Sequence, residues 1–308
     1  MLKIKLHISL FIVAICLFSC DSKEKDDDIT TDPLKSDRKA LIIGIDGFRS
    51  DIMQESITPF IYSLQHENVY YNLAHITEEI TYSGPNWSSM LTGVHLNKHN
   101  VTNNAFDNNN LNDYPPFFEY IERADSDINT GSIVNWTPIN SYVLSNISDH
   151  APLEAMNDAT VFENAYKMLV DGDPIDVDVL FLQFDELDGA GHAYGFSPLI
   201  EGYINTANTI DSYVADLFDI IQSKRANGED WIYMIISDHG GEGTSHGDAT
   251  HPDINTTIFL AEHPSLQFSA DCCYISNQTD LATTVLDFMG ISSPEFNNNT
   301  DGVSIIEQ

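Results

Sequence analysis

Five short, almost unbroken apolar runs constrain this chain more than any other feature of it. Lys39-Ala-Leu-Ile-Ile-Gly-Ile-Asp46 is the first, followed by Ser132–Trp136, Val177–Phe184, Trp231–Ser237 and Asn255–Ala261. A strand with one wet face alternates apolar and polar residues, so runs without alternation predict strands buried on both faces. Helical patterns separate them. Ile57–Gln65 opens with Thr58-Pro59 in N-terminal positions, and Asp158–Val170 is a second pattern. Leu199–Ala226 is the longest, with Tyr203, Ala207, Ile210, Val214, Leu217 and Ile221 spaced mostly three or four apart. Thr279–Met289 stops at Gly290, a C-terminal helix signal. Strands alternating with helices predict an α/β fold, a mainly parallel central sheet sandwiched by helices. Ligands of such sheets bind beyond the carboxyl ends of the strands. The Asn-rich patches Asn103–Asn112 and Asn297–Asn299 read as loops.

The N-terminus stands apart from this pattern. Lys3 and Lys5 precede an apolar run, Ile8 to Phe18, too short to span a bilayer comfortably. Residues 1–19 therefore read as a secretory signal. Leu17-Phe18-Ser19-Cys20 resembles a bacterial lipobox, in which Cys20 is lipidated and becomes the first mature residue. The expectation is an exported bacterial lipoprotein, periplasmic or at the cell surface, attached to a membrane through that lipid. Residues 20–38 are polar and acidic and read as a disordered tether. Residues 39–308 form the folded domain. Cys16 falls in the signal, which leaves the adjacent Cys272 and Cys273 as a buried pair or a vicinal bridge.

A formal net charge of −34 repels nucleic-acid duplexes and argues against that class of partner. A phosphate-bearing substrate would need local positive charge. The arginines are only Arg38, Arg49, Arg123 and Arg225, so metal ions are the obvious supply.

Residues able to hold metal fall at the expected strand ends. Asp46-Gly47 ends the first run. Asp188-Gly-Ala-Gly-His192 follows the third, its glycines permitting a tight turn that brings carboxylate and imidazole together. Ser237-Asp238-His239-Gly-Gly ends the fourth, with His246 seven residues beyond His239 and His251 a weaker alternative to it. Carboxylate and imidazole without thiolate suit Zn²⁺, and suit Mn²⁺ or Mg²⁺ less well. In Thr81-Tyr-Ser83-Gly-Pro-Asn-Trp-Ser-Ser-Met-Leu-Thr-Gly93, the stretch Trp87–Thr92 reads as a short helix. Ser83 then lies just before a helix N-terminus, where free N–H groups favour an anion, either as a nucleophile or as a simple cap.

Taken together these motifs resemble the alkaline phosphatase superfamily, and within it the type I nucleotide pyrophosphatase/phosphodiesterases. The resemblance covers about residues 39–305. Asp46 in Ile-Asp-Gly-Phe-Arg matches the family's first metal-binding Asp. The family's Thr-Phe-Pro-Asn, five residues, then Thr-Gly matches Asn86 and Thr92-Gly93, which places Ser83 on the nucleophile. His99 to Asn104 matches His-Gly-Ile-x-Asp-Asn, so Asn104 is expected to hold a phosphate oxygen. The resemblance implies two zinc ions: Asp188, His192 and His246 at one, and Asp46, Asp238, His239 and Ser83 at the other. It implies hydrolysis of a phosphodiester or pyrophosphate in a small, nucleotide-like substrate through a phospho-serine intermediate.

Ser83 stands where these enzymes usually have Thr, and the short segment between His239 and His246 lacks a long insertion that shapes the pocket in many of them. Monoesterases of the superfamily use a positive group near the phosphate. Arginine is scarce here, with Arg49 the one candidate to lie beside the nucleophile, and a diester carries less charge and tolerates that lack. A phosphomonoesterase or phosphotransferase of the same superfamily is the next alternative. A sulfatase is less favoured because Ser83-Gly-Pro-Asn-Trp lacks the Ser/Cys-x-Pro-Ser-Arg signature, and a non-catalytic binding lipoprotein is disfavoured by the complete ligand set. Trp87 and Trp136 are candidates either for an apolar leaving-group pocket or for the core.

Overall fold

The computed structural model describes residues 30–31, 37–66, 69–144, 146–269 and 274–307. Residues 1–19, the proposed lipid site Cys20, and Cys272 with Cys273 lie outside them. The strands are β1 (Thr30–Thr31), β2 (Arg38–Ile45), β3 (Val69–Ile76), β4 (Thr130–Val134), β5 (Val179–Phe184), β6 (Asp230–Ile236), β7 (Thr256–Glu262) and β8 (Ile291–Ser292). The helices are α1 (Pro59–Ser63), α2 (Ser83–Thr92), α3 (Leu96–His99), α4 (Phe117–Ala124), α5 (Asp158–Asp171), α6 (Glu186–Tyr194), α7 (Glu201–Ala226), α8 (Pro252–Asn255), α9 (Asp280–Met289) and α10 (Pro294–Asn299).

Six strands form one sheet in the order β3-β7-β6-β2-β5-β4. β2 pairs in parallel with both β5 and β6, and β4 in parallel with β5. β7 runs antiparallel to β6 and to β3. A parallel return needs a crossover that is usually a full helix. The chain between β6 and β7 contains only the four-residue α8, so it turns back directly and β7 pairs antiparallel beside β6. The five apolar runs all become strands, as their lack of alternation predicts. Along β2, Ala40 and Ile42 pack on one face, while Leu41, Ile43 and Ile45 pack on the other. β5 and β6 divide in the same way, so the sheet is buried on both sides.

Three features were not read from the sequence pattern. β3 was not legible as a strand. It is an edge strand with a bulge between Asn72 and His75, and its exposed and buried residues follow no simple pattern. Asn297–Asn299 are the last turn of α10 rather than a loop, because Ser293 caps the helix by accepting from Phe296 N. Within the segment expected to be a tether, Thr30–Thr31 pair antiparallel with Ile291–Ser292. No helix among the described residues is long and apolar enough to cross a membrane.

The centre of the sheet positions the site. β6, β2 and β5 are neighbours, with Gly44 opposite Ile236 and Ile45 opposite Phe184. Their carboxyl ends therefore emerge side by side. Gly47, just beyond β2, has φ of +72°, and a Cβ there would lie 2.9 Å from the Cα of Asp188. Only glycine allows both that turn and that approach.

Candidate active site

Each of the three strand ends delivers a carboxylate. Asp46, 1% exposed, follows β2. Its Oδ2 accepts from Trp87 Nε1 at 3.0 Å and Gln183 Nε2 at 3.2 Å. Asp238 follows β6 and is fully buried. Its Oδ1 accepts from the backbone N–H of Gly47 at 3.2 Å and of His239 at 2.9 Å. Asp188 comes from α6, which begins two residues after β5. The opposite oxygens of these groups, Asp46 Oδ1, Asp238 Oδ2 and Asp188 Oδ1, are all buried without a hydrogen-bond partner. An orphaned buried oxygen of this kind costs one to several kcal/mol, more when charged.

Three imidazoles face these oxygens. His239 Nδ1 donates to Gly240 O at 2.8 Å, His246 Nδ1 to Thr81 O at 2.7 Å, and His192 Nδ1 to Thr244 O at 2.9 Å. A backbone carbonyl only accepts, so each ring carries its proton on Nδ1 and offers the Nε2 lone pair. His239 Nε2 lies 3.4 Å from Asp46 Oδ1, 3.3 Å from Asp238 Oδ2 and 3.4 Å from Ser83 Oγ. His246 Nε2 is 3.9 Å from Asp188 Oδ1, and its ring stacks on His239 at 3.8 Å between centroids. His192 Nε2 lies 3.3 Å from Asp188 Oδ2.

The electrostatics fit a site built for cations. Burial, reinforced by the Asp238 and Asp188 charges, pushes Asp46 well above the usual carboxylate range, and burial together with Asp188 does the same to Asp238. Burial raises Asp188 to about 7, against the opposing pull of His192. Burial lowers His239 well below its ordinary value, with His246 adding to the effect, and lowers His246 as well. Neutral imidazoles and mutually repelling carboxylates are what a divalent cation reconciles. Two groups converge closely enough to hold one: Asp46, Asp238 and His239, and Asp188, His239 and His246, with ligand atoms within 4.8 Å of one another in each. His239 stands in both, which the sequence did not indicate, while His192 reaches the second through Asp188.

Ser83 borders the first group. It is the first residue of α2, not the residue before a helix beginning at Trp87, and Tyr82 is the N-cap. Asn86, fully buried, stabilises this start: its Oδ1 accepts from Glu78 N at 2.8 Å, and its Nδ2 donates to the carbonyls of Ile80 and Tyr82. Asn104 Oδ1 accepts from Gly84 N at 2.8 Å. That N–H is therefore engaged by Asn104 rather than free for an anion, and the contact leaves the Nδ2 of Asn104 as its donor end. Thr81, the other hydroxyl nearby, donates to His246 O.

The model of the family described as type I phosphodiesterase/nucleotide pyrophosphatase matches residues 40–127 and 128–280 of the chain. The chain belongs to this family. It is a phosphoric ester hydrolase with the fold of the alkaline phosphatase superfamily. Murine ectonucleotide pyrophosphatase/phosphodiesterase 5 superposes with a TM-score of 0.65 at 16% identity, over 88% of this chain and 100% of that one. An inactive variant of the murine protein, in complex with AMP, gives 0.66 at 14% identity over the same shares. The C-terminal periplasmic domain of EptC from Escherichia coli, in complex with Zn, gives 0.64 at 15% identity, over 91% of this chain and 89% of that one. A search of curated protein sequences finds no match.

Other features of the phosphodiesterase depart from its sequence reading. Asp188 and His192 meet by the i, i+4 geometry of α6 and not by a glycine turn. Gly191 is needed for packing, since a Cβ there would lie 2.2 Å from the Phe196 ring. Arg49 is engaged by residues outside the two metal groups. It is 5% exposed, pairs with Asp51 at 2.7 Å, Asp253 at 2.8 Å and Glu242 at 3.2 Å, and donates to Phe196 O and Gly241 O. Glu242, His251 and Asp253 form a third group spaced for a metal, but the Arg49 guanidinium already occupies two of its carboxylates. Trp87 is fully buried in the core, whereas Trp136 packs beside Phe106 at the edge of that core. Gln183 was missed: a lone glutamine inside an apolar run carries no signal of its role.

Proposed function

We propose that this phosphodiesterase binds two zinc ions and cleaves a phosphodiester or pyrophosphate bond of a small substrate through a phospho-serine at Ser83. The observation that carries the reading is the set of three orphaned carboxylate oxygens and three Nε2 lone pairs beside one buried hydroxyl. Asp188, His192 and His246 would hold one ion, and Asp46, Asp238 and His239 the other, with Ser83 alongside. When bound, such a pair supplies charge neutralisation at the phosphoryl oxygens and lowers the pKa of the nucleophile.

The chain's own residues account for the rest. Ser83 Oγ, fixed at the start of α2, attacks phosphorus in line with the leaving oxygen and becomes phosphorylated. Its proton is released to solvent, because the Nε2 lone pair of His239 is a ligand in this reading. Asn104 Nδ2 donates to a non-bridging oxygen, its carboxamide held by Gly84 N. Water then hydrolyses the phospho-serine and regenerates the hydroxyl. No cationic side chain beside Ser83 is present among the described residues to balance a second phosphate charge, since Arg49 is committed elsewhere. This favours diesters and pyrophosphates over monoesters. A nucleotide is the proposed substrate class, supported by the AMP complex of the murine relative.

We propose further that residues 1–19 are a signal peptide and that lipid on Cys20 anchors the enzyme to a membrane, with residues 20–38 as the link to the catalytic domain. The catalytic proposal is tested with Ser83→Ala. Hydrolysis of bis-nitrophenyl phosphate should fall at least ~1000-fold, while metal analysis still finds two zinc ions per chain. An active Ser83→Ala protein would refute the nucleophile, and wild-type activity unaffected by chelation would refute the metals.

A further inference from the structure

We infer that Trp87 and Gln183 are positioning residues that hold Asp46 as a one-oxygen metal ligand, Trp87 doing so from the helix that carries the nucleophile. The inference rests on the two-metal reading above. A carboxylate can rotate about its Cβ–Cγ bond and exchange one oxygen for the other. Asp46 cannot do so freely, because both donors address the same oxygen. Trp87 Nε1 reaches Oδ2 from α2 at 3.0 Å, and Gln183 Nε2 reaches it from β5 at 3.2 Å. Oδ1 is left buried, without a partner, and 3.4 Å from His239 Nε2.

Both donors are themselves immobile. Gln183 is fully buried, its Oε1 accepts from Trp136 N at 2.9 Å, and its Nε2 also donates to Asp185 Oδ1 at 3.0 Å. Trp87 is fully buried, edge-on to Phe181 at 5.9 Å. Its ring fills the space a side chain at position 44 would need, since a Cβ on Gly44 would come within 2.5 Å of it. An indole N–H only donates, so its partner must be an acceptor oxygen.

Trp87 lies four residues after Ser83, one turn along the same side of α2. Its hydrogen bond therefore fixes the distance between the nucleophile's helix and the end of β2. Ser83 Oγ and Asp46 Oδ1 both face His239 Nε2, each at 3.4 Å, so a shift of α2 would change both relations together. Outer partners of metal ligands commonly set affinity by 10–100-fold.

The experiment is a zinc titration of the chelated full chain, followed by a competing chelator and by ¹⁵N NMR of the three indole N–H groups. In the wild type, the resonance that disappears in Trp87→Phe should shift as zinc binds. Trp87→Phe keeps a ring without the N–H, and Gln183→Met keeps length without the amide. Each should weaken one zinc ion roughly 10–100-fold and leave the other unchanged. kcat should fall with KM little altered. Should Trp87→Phe fold poorly, Gln183→Met and the wild-type indole shift still decide. An unmoved indole resonance, with both ions bound normally by both variants, overturns the positioning role alone. A wild-type chain that binds no zinc overturns the metal reading and the inference with it.

Discussion

Removing a ligand should stabilise this enzyme once its metal is gone. Asp188 Oδ1 is buried without a partner, and burial raises the carboxyl to about 7. An aspartate in the unfolded chain titrates near 3.9. In the metal-free protein the folded state therefore binds a proton that the unfolded state has released. The associated stability is full below about pH 4 and is lost as pH rises through about 7. Roughly three pH units at 1.36 kcal/mol each make the loss about 4 kcal/mol. Asp46 and Asp238 shift in the same direction and add to it. Asp188→Asn is a neutral near-isostere without that proton. In excess chelator at pH 8 the variant should unfold above the wild type by up to about 4 kcal/mol, on the order of 10 °C for a domain of this size. Near pH 4.5 the two should converge. In saturating zinc at pH 8 the order should reverse, because the variant lacks a ligand. Thermal unfolding across pH, with and without chelator, reads all three. A chelated variant no more stable than wild type at pH 8, or a difference that does not change with pH, would show that Asp188 is not a strained buried acid.

Two further outcomes follow from other residues. Arg49→Ala should destabilise by roughly 1–3 kcal/mol in chemical denaturation, because it leaves two carbonyls unpaired and brings together three carboxylates that water partly screens, while bound zinc stays at wild-type stoichiometry. Cys20→Ala should move the exported protein from the membrane fraction to the soluble fraction without changing kcat; equal partitioning of both forms would dismiss the lipid.

Some of this was legible in the sequence and some was not, for physical reasons. The central strands could be read because burial on both faces leaves an unbroken apolar run, as in Leu41 to Ile45. β3 could not, because an edge strand is shaped by its neighbour rather than by its own composition. The acids and imidazoles stood out because such residues rarely cluster at strand ends without a purpose. Their second partners did not. Trp87 looks like any core tryptophan and Gln183 like a stray polar residue until the fold brings each within hydrogen-bond distance of Asp46. The start of α2 was misplaced because no side chain caps it; Asn86 instead ties down the carbonyls of Ile80 and Tyr82, a pattern with no local signature. Arg49 was ambiguous because its partners at positions 242 and 253 are remote in the chain.

The central place of β2 governs the order in which such an enzyme can mature. β2 forms near the start of the domain, yet its two neighbours are β5 and β6, more than a hundred residues later. The cleft is therefore absent from a chain that has not yet reached β5 and β6, which presents its acids and imidazoles as scattered, weak ligands. A divalent cation added that early would have nothing to organise. It could only lock a sheet that has already closed, so loading would come late in assembly.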